Sequence, residues 1–140
     1  IQRRNWAEVE RLARVAVERE PYSAAAWNNL AIGLEELGRK AEAEAAYRKA
    51  SEVDPRDYRA LFNLGILLRK SARFDEAAAV QQEVLTRNPA HAGAHFELGM
   101  LFAGPLGDPQ RAKIHLQAVI EADPNHPRAR QARTVLDQLP

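Results

Sequence analysis

The chain has 140 residues, no cysteine, and 20 basic against 19 acidic side chains. The length is enough to bury a core, the balanced charge gives no global field for nucleic acid or an anionic membrane, and the lack of cysteine excludes disulfides, thiol catalysis and cysteine-ligated zinc. No apolar run reaches the roughly 18–20 residues of a membrane span, and aromatics make up only 6% of the residues, which predicts a core of small aliphatic side chains in closely packed helices.

The first residue is Ile1, and no basic, apolar and small-residue leader follows it. The chain therefore reads as a piece of something longer or a processed product. Targeting information would lie upstream, which leaves a cytoplasmic or periplasmic location open. Trp6, Val9, Ala13 and Ala16 share one helix face ahead of Pro21. From Ser23 on, Trp27, Leu30, Ala31 and Leu34 fall at helical spacing, Gly38 is placed to end that helix, and Ala43, Ala46, Tyr47, Ala50 and Val53 predict a second helix. The pattern recurs with Leu61, Leu64, Gly65 and Leu68, then Phe74, Ala77, Val80, Gln81 and Val84. It recurs again with His95, Leu98, Gly99 and Phe102, then Ala112, Leu116, Val119 and Ile120. Between those last two runs, Gly104-Pro105-Leu106-Gly107 is a loop of turn formers, with Asp108 as helix cap and Pro109 as first helical residue. Ala132, Val135, Leu136 and Leu139 predict a final amphipathic helix.

These runs share one period. Pro21, Pro55, Pro89 and Pro124 are separated by 34, 34 and 35 residues, and Leu30, Leu64 and Leu98 keep the same step. Several columns in one register mark an internal repeat. The residues at Trp27, Leu30, Ala31, Leu34, Ala43, Tyr47, Ala50 and Pro55, repeated through the chain, resemble the tetratricopeptide repeat family. The departures are Ala31 for Gly, Gln81 and Leu116 for an aromatic, and His95 for the Trp-like residue. The resemblance implies an all-α solenoid, a right-handed superhelix of antiparallel helix pairs with eight helices. It implies one array over 1–140: the second helix of a partial repeat in 1–23, repeats at 24–57, 58–91 and 92–126 (the last with a one-residue loop insertion), and a capping helix at 127–140.

Catalysis finds no support in the motifs. Ser23, Ser51 and Ser71 fall at helix junctions, and no phosphate-binding loop, nucleophile elbow or His-Glu-x-x-His is present. The reading is no enzyme, no cofactor and no metal. His91 and His95 are four apart, but two histidines without a third ligand make a poor site; His91 reads as a turn residue and His95 as a packing residue. Arg128, Arg130 and Arg133 read as a solvated basic face, because no aromatics interleave them.

The resemblance implies that the first helix of each repeat lines a concave face. The partner-binding residues it implies there are Asn28, Asn29, Ile32, Arg59, Phe62, Asn63, Ile66, Arg69, Lys70, Phe96, Glu97 and Met100. Phe62, Ile66, Phe96 and Met100 read as an exposed apolar strip, Arg69 and Lys70 as attracting an acidic group, and Glu35, Glu36 and Glu97 as flanking negative charges. Asn29 and Asn63 occupy equivalent places, similar to the asparagine ladder of the arrays attached to O-linked N-acetylglucosamine transferases. The carboxylate clamp that grips chaperone tails is matched at Asn63 alone among Asn28, Ile32, Asn63, Gly93 and Glu97. The expected function is a non-catalytic protein–protein interaction module that binds a partner's peptide segment in the concave groove. The alternatives are a scaffold that self-assembles through the half-repeat face at Trp6, Val9 and Leu12, giving a homo-oligomer, and a docking or regulatory arm of a larger enzyme. The expected partner is protein or peptide, without nucleic acid or membrane insertion. Residues Ile1 to Arg4 or a second copy are expected to cover the Trp6 face.

Overall fold

The computed structural model describes residues 2–140, with side chains from residue 5 onward; the cover expected from residues 1–4 lies outside the described side chains. Among the described residues there are eight α-helices and no strand: α1 Gln2–Arg19, α2 Ala24–Glu36, α3 Lys40–Val53, α4 Arg59–Lys70, α5 Phe74–Arg87, α6 Ala92–Ala103, α7 Pro109–Ala122 and α8 Ala129–Gln138. Among the described residues, no helix is long and apolar enough to cross a membrane.

Their starts repeat a local device. Ser23 Oγ accepts from Ala26 N at 3.2 Å, Asp57 Oδ1 from Arg59 N at 3.0 Å, His91 Nδ1 from Ala94 N at 2.9 Å, and His126 Nδ1 from Arg128 N at 3.2 Å. The first three satisfy N–H groups that an α-helix leaves without partners at its first turn, while His126 holds the residue just ahead of α8. Asp108 caps α7 through Arg111 N, with Pro109 in the first turn, as the sequence predicts.

The helix ends repeat another. Gly38, Ala72 and Gly107 occupy corresponding loop positions and take φ of 78°, 58° and 61°. Gly38 N bonds Glu35 O at 2.9 Å and Arg39 N bonds Leu34 O at 2.9 Å, and Ala72 and Arg73 make the same pair of bonds to Arg69 and Leu68. This is the left-handed termination in which glycine is favoured. Ala72 adopts it with a Cβ, at a strain of roughly 1–2 kcal/mol. Part of that is offset because alanine loses less chain entropy on folding. Ala72→Gly is therefore expected to raise unfolding free energy by about 0.5–1 kcal/mol in urea titrations, and Gly38→Ala to lower it comparably.

The helices form two compact units, residues 1–67 and 68–140, dividing within α4. In the first, α1 packs on α2 and α2 on α3. Ala13, Val17, Leu30, Ala31, Leu34, Ala43, Ala46, Tyr47 and Ala50 are buried, as is Leu64, which the repeat register requires. A Cβ at Gly33 would lie 3.4 Å from the backbone nitrogen of Glu10, so α1 and α2 approach closely there. Around this unit's edge, Glu10 accepts from both Arg14 (2.6 Å) and Arg39 (2.7 Å). In the second unit α6 packs on α5, α7 and α8. Its core includes Phe96, Leu116, Val119 and Ala132, with Met100, Ile120, Val135, Leu136 and Leu139 packed against them. A Cβ at Gly99 would fall 2.5 Å from Leu116 Cδ2. Glycine at that crossing therefore makes room for a leucine.

Candidate functional site

Each unit holds an open hollow on helix faces that the core leaves uncovered. In the first unit a hollow of about 450 Å³ is lined by Trp6, Val9, Leu12, Ala13 and Ala16 of α1 and by Ala26, Asn29 and Ile32 of α2. Val9 and Leu12 are 38% and 54% exposed, although both are large and apolar. Beside it, Asn63 Nδ2 donates to Asn28 Oδ1 at 3.2 Å, joining α2 to α4. One amide of the expected ladder is thereby engaged within the chain, while Asn29 stays exposed at the hollow.

In the second unit a hollow of about 270 Å³ is lined by Arg69, Phe96, Glu97, Met100, Arg128 and Gln131. Its chemistry centres on Glu97, whose side chain is 5% exposed. Arg69 Nε donates to Glu97 Oε2 at 2.7 Å and Arg128 Nη1 donates to Oε1 at 3.2 Å. The Arg128 guanidinium also lies over the Phe96 ring, 4.8 Å from its centroid. A buried carboxylate needs such partners, because an unpaired charge in a low-dielectric interior is costly.

This arrangement corrects several expectations. Phe96 is not on an exposed strip: it is 6% exposed, because α8 supplies the core partner that the repeat pattern does not suggest. Glu97 is not an open negative charge, since both its oxygens are held by arginines. Arg69 is engaged with Glu97 before any ligand arrives. Arg59 turns back onto its own cap residue, bonding Asp57 Oδ2 at 2.6 Å and holding that carboxyl below its usual range. Phe62 and Ile66 are half-buried and Lys70 is exposed; these three line neither hollow. Arg128, read from the sequence as part of a solvated basic face, is instead a site residue. It continues the column of Ala25, Arg59 and Gly93 by one further repeat step, and Gln131 continues that of Asn28, Phe62 and Phe96. Extending the columns into the last helix is the signal that finds both.

The histidines pair differently from their spacing. His95 Nε2 faces Pro89 O at 2.8 Å, and the carbonyl can only accept, so this nitrogen carries a proton. Trp27 makes the corresponding bond to Pro21 O at 2.8 Å, which explains how a histidine fills a tryptophan place. His95 Nδ1 then meets His115 Nδ1 at 3.0 Å, and His115 is held largely by burial, with a smaller effect from His95, to a pKa of about 4. His91 is occupied as the α6 cap. Among the described residues no group of three or more His, Cys, Asp or Glu is placed to hold a metal.

Comparison with known proteins follows the same lines. A family profile described as tetratricopeptide repeat matches residues 28–92 and 62–127. No curated protein matches the sequence. Among solved structures, the chain is similar to YrrB, a TPR protein with an unusual peptide-binding site: TM-score 0.78 and 23% identity over 94% of this chain and 67% of that one. It is also similar to Pseudomonas aeruginosa pilF, with TM-score 0.79 and 26% identity over 98% and 70%. A third is the first TPR of Spaghetti (RPAP3) bound to HSP90 peptide SRMEEVD, with TM-score 0.74 and 20% identity over 83% and 92%. These likenesses place the chain in the helical-repeat solenoid fold.

Proposed function

This chain belongs to the tetratricopeptide repeat family, whose fold is a protein-interaction scaffold, and we propose that it is a non-catalytic module that holds a peptide segment of a partner against the inner faces of its first helices. The observation that carries the reading is that residues of those helices line open hollows: Asn29 and Ile32 in one unit, Arg69 and Met100 in the other. Exposed apolar surface rimmed by amides and charges is the composition of an interaction surface. The peptide-binding site of YrrB and the HSP90 peptide on the Spaghetti repeat support the same class of ligand. Phe62, Asn63, Ile66 and Lys70 belong to the proposed face, with Phe62 and Ile66 taking apolar side chains and the amides taking backbone. Neither cofactor nor nucleic acid enters this mode of action.

The test begins with peptides selected from a displayed random library. Phe62→Ala and Ile32→Ala are expected to cost about 1–3 kcal/mol of affinity each, while Arg48→Ala on α3, an exposed residue paired to Glu44, leaves binding unchanged. Melting curves run alongside. Loss of binding in Arg48→Ala with unchanged binding in the other two overturns the reading. The exposed Val9 and Leu12 favour a second reading, self-association through α1, which light scattering distinguishes by a mass of two chains and by its loss in Leu12→Asp.

A further inference from the structure

We infer that the Arg69–Glu97–Arg128 cluster is a receptor for a single carboxylate of the bound peptide. That the carboxylate belongs to a peptide rests on the function proposed above; the receptor itself does not. Glu97 is nearly buried, and its two oxygens bring together guanidiniums from different helices, α4 and α8. It acts as a template that sets them side by side. Arg128 is fixed further by its stacking over Phe96. Each guanidinium has five N–H donors. One from each is spent on Glu97, and among the described residues neither has a further side-chain acceptor. The two side chains remain 38% and 42% exposed, so donors face the hollow already oriented.

The charge balance selects the ligand. Two arginines less one glutamate leave one net positive charge. A carboxylate neutralises it. A phosphate, at about −1.5 to −2, leaves excess negative charge beside a carboxylate that cannot move into water. The positive end of the α8 macrodipole lies at the same residues, since Arg128 is the α8 cap. Met100 and Gln131 complete the hollow, and its 270 Å³ suits a carboxylate with its short apolar stem. The chemistry fits a Glu or Asp side chain and a chain-terminal carboxylate alike. Glu97 thus does not oppose an acidic ligand: its charge is what holds the two donors.

The experiment is a titration of the full chain followed through the side-chain Nε–H signals of Arg69 and Arg128. The probes are N-acetylglutamate methylamide, N-acetylalanine, the neutral N-acetylglutamine methylamide and inorganic phosphate. The expected result is saturable shifts of both arginines with one or both carboxylates, weakening as salt rises. Arg128→Gln should weaken binding at least tenfold, and the neutral probe should do nothing. Glu97→Gln, checked by melting curve, should weaken carboxylate binding at least threefold, because the charge that sets the two guanidiniums side by side is gone. Should that variant unfold, Arg69→Gln and Arg128→Gln carry the test between them. The side-chain and terminal probes identify the source by which of them binds. Equal shifts from the neutral probe, tighter binding of phosphate than of carboxylate to the unaltered chain, or unchanged binding in Arg128→Gln overturns the inference. A chain that selects no peptide yet binds the small carboxylates keeps the receptor and loses the peptide reading; one that selects peptides without any carboxylate dependence does the reverse.

Discussion

Leu116→Ala is expected to lower unfolding free energy by about 2–5 kcal/mol, the range of a leucine truncated in a packed interior. Leu116 has no exposed surface and sits with Phe96, Val119 and Ala132 in the core of the second unit. It also fills the space opposite Gly99, where an added Cβ would come within 2.5 Å of Cδ2 and 2.6 Å of Cγ. Gly99→Ala therefore gains helix propensity of roughly 1 kcal/mol but is expected to lose more to the clash, for a net cost of about 1–2 kcal/mol, because overpacking forces a buried side chain off its rotamer. The two substitutions are coupled. With Leu116 shortened, the methyl at position 99 enters vacated space, so the double variant is expected to be at least about 1 kcal/mol more stable than the sum of the single effects. Urea titration of the four proteins checks this. Simple additivity would mean that the two side chains do not share the crossing.

The second large effect concerns charge. Replacing Arg69 and Arg128 together by alanine leaves Glu97, only 5% exposed, without either of its bonds. Stranding one member of a buried ion pair costs about 3–5 kcal/mol. The lower end applies here, because deleting two half-exposed arginines lets some water reach the carboxylate. The expected signature is rescue: adding Glu97→Gln to the double variant should recover most of the loss, since a neutral amide tolerates the site better than a charge. If the double alanine variant melts like the parent, Glu97 is solvated and the template role assigned to it fails.

What the sequence makes legible is what repeats. Leu64 is buried, Gly38 takes a positive φ and Asp108 caps α7, because packing, termination and capping recur with the period of the chain and leave columns of like residues. Even the departures obey the columns. Ala72 takes the conformation of its glycine counterparts, and His95 makes the hydrogen bond of Trp27. The candidate site is less legible because it departs from repetition. A glutamate on a helix face reads as an open charge until its partners are known, and those of Glu97 lie 28 and 31 residues away, on helices of other repeats. Phe96 reads as exposed for the same reason: its cover, α8, carries the arginine column rather than the packing signature of a full repeat. His115 stands where Ala46 and Val80 stand in the other repeats, but a histidine at that apolar place has no counterpart, and its place against His95 follows from the α6–α7 packing.

The central claim is that the faces of the first helices, and not those of the second, receive the partner. Its most direct measurement is the footprint of a library-selected peptide on the chain, read from backbone amide shifts during titration. The largest shifts are expected around Asn29 and Ile32 on α2, Phe62 and Ile66 on α4, and Met100 on α6, with the start of α8 joining at Arg128 when the peptide is acidic. Exposed residues of the second helices, such as Arg48 on α3 and Ile114 on α7, should stay unchanged. A footprint centred on α3, α5 or α7 would contradict it.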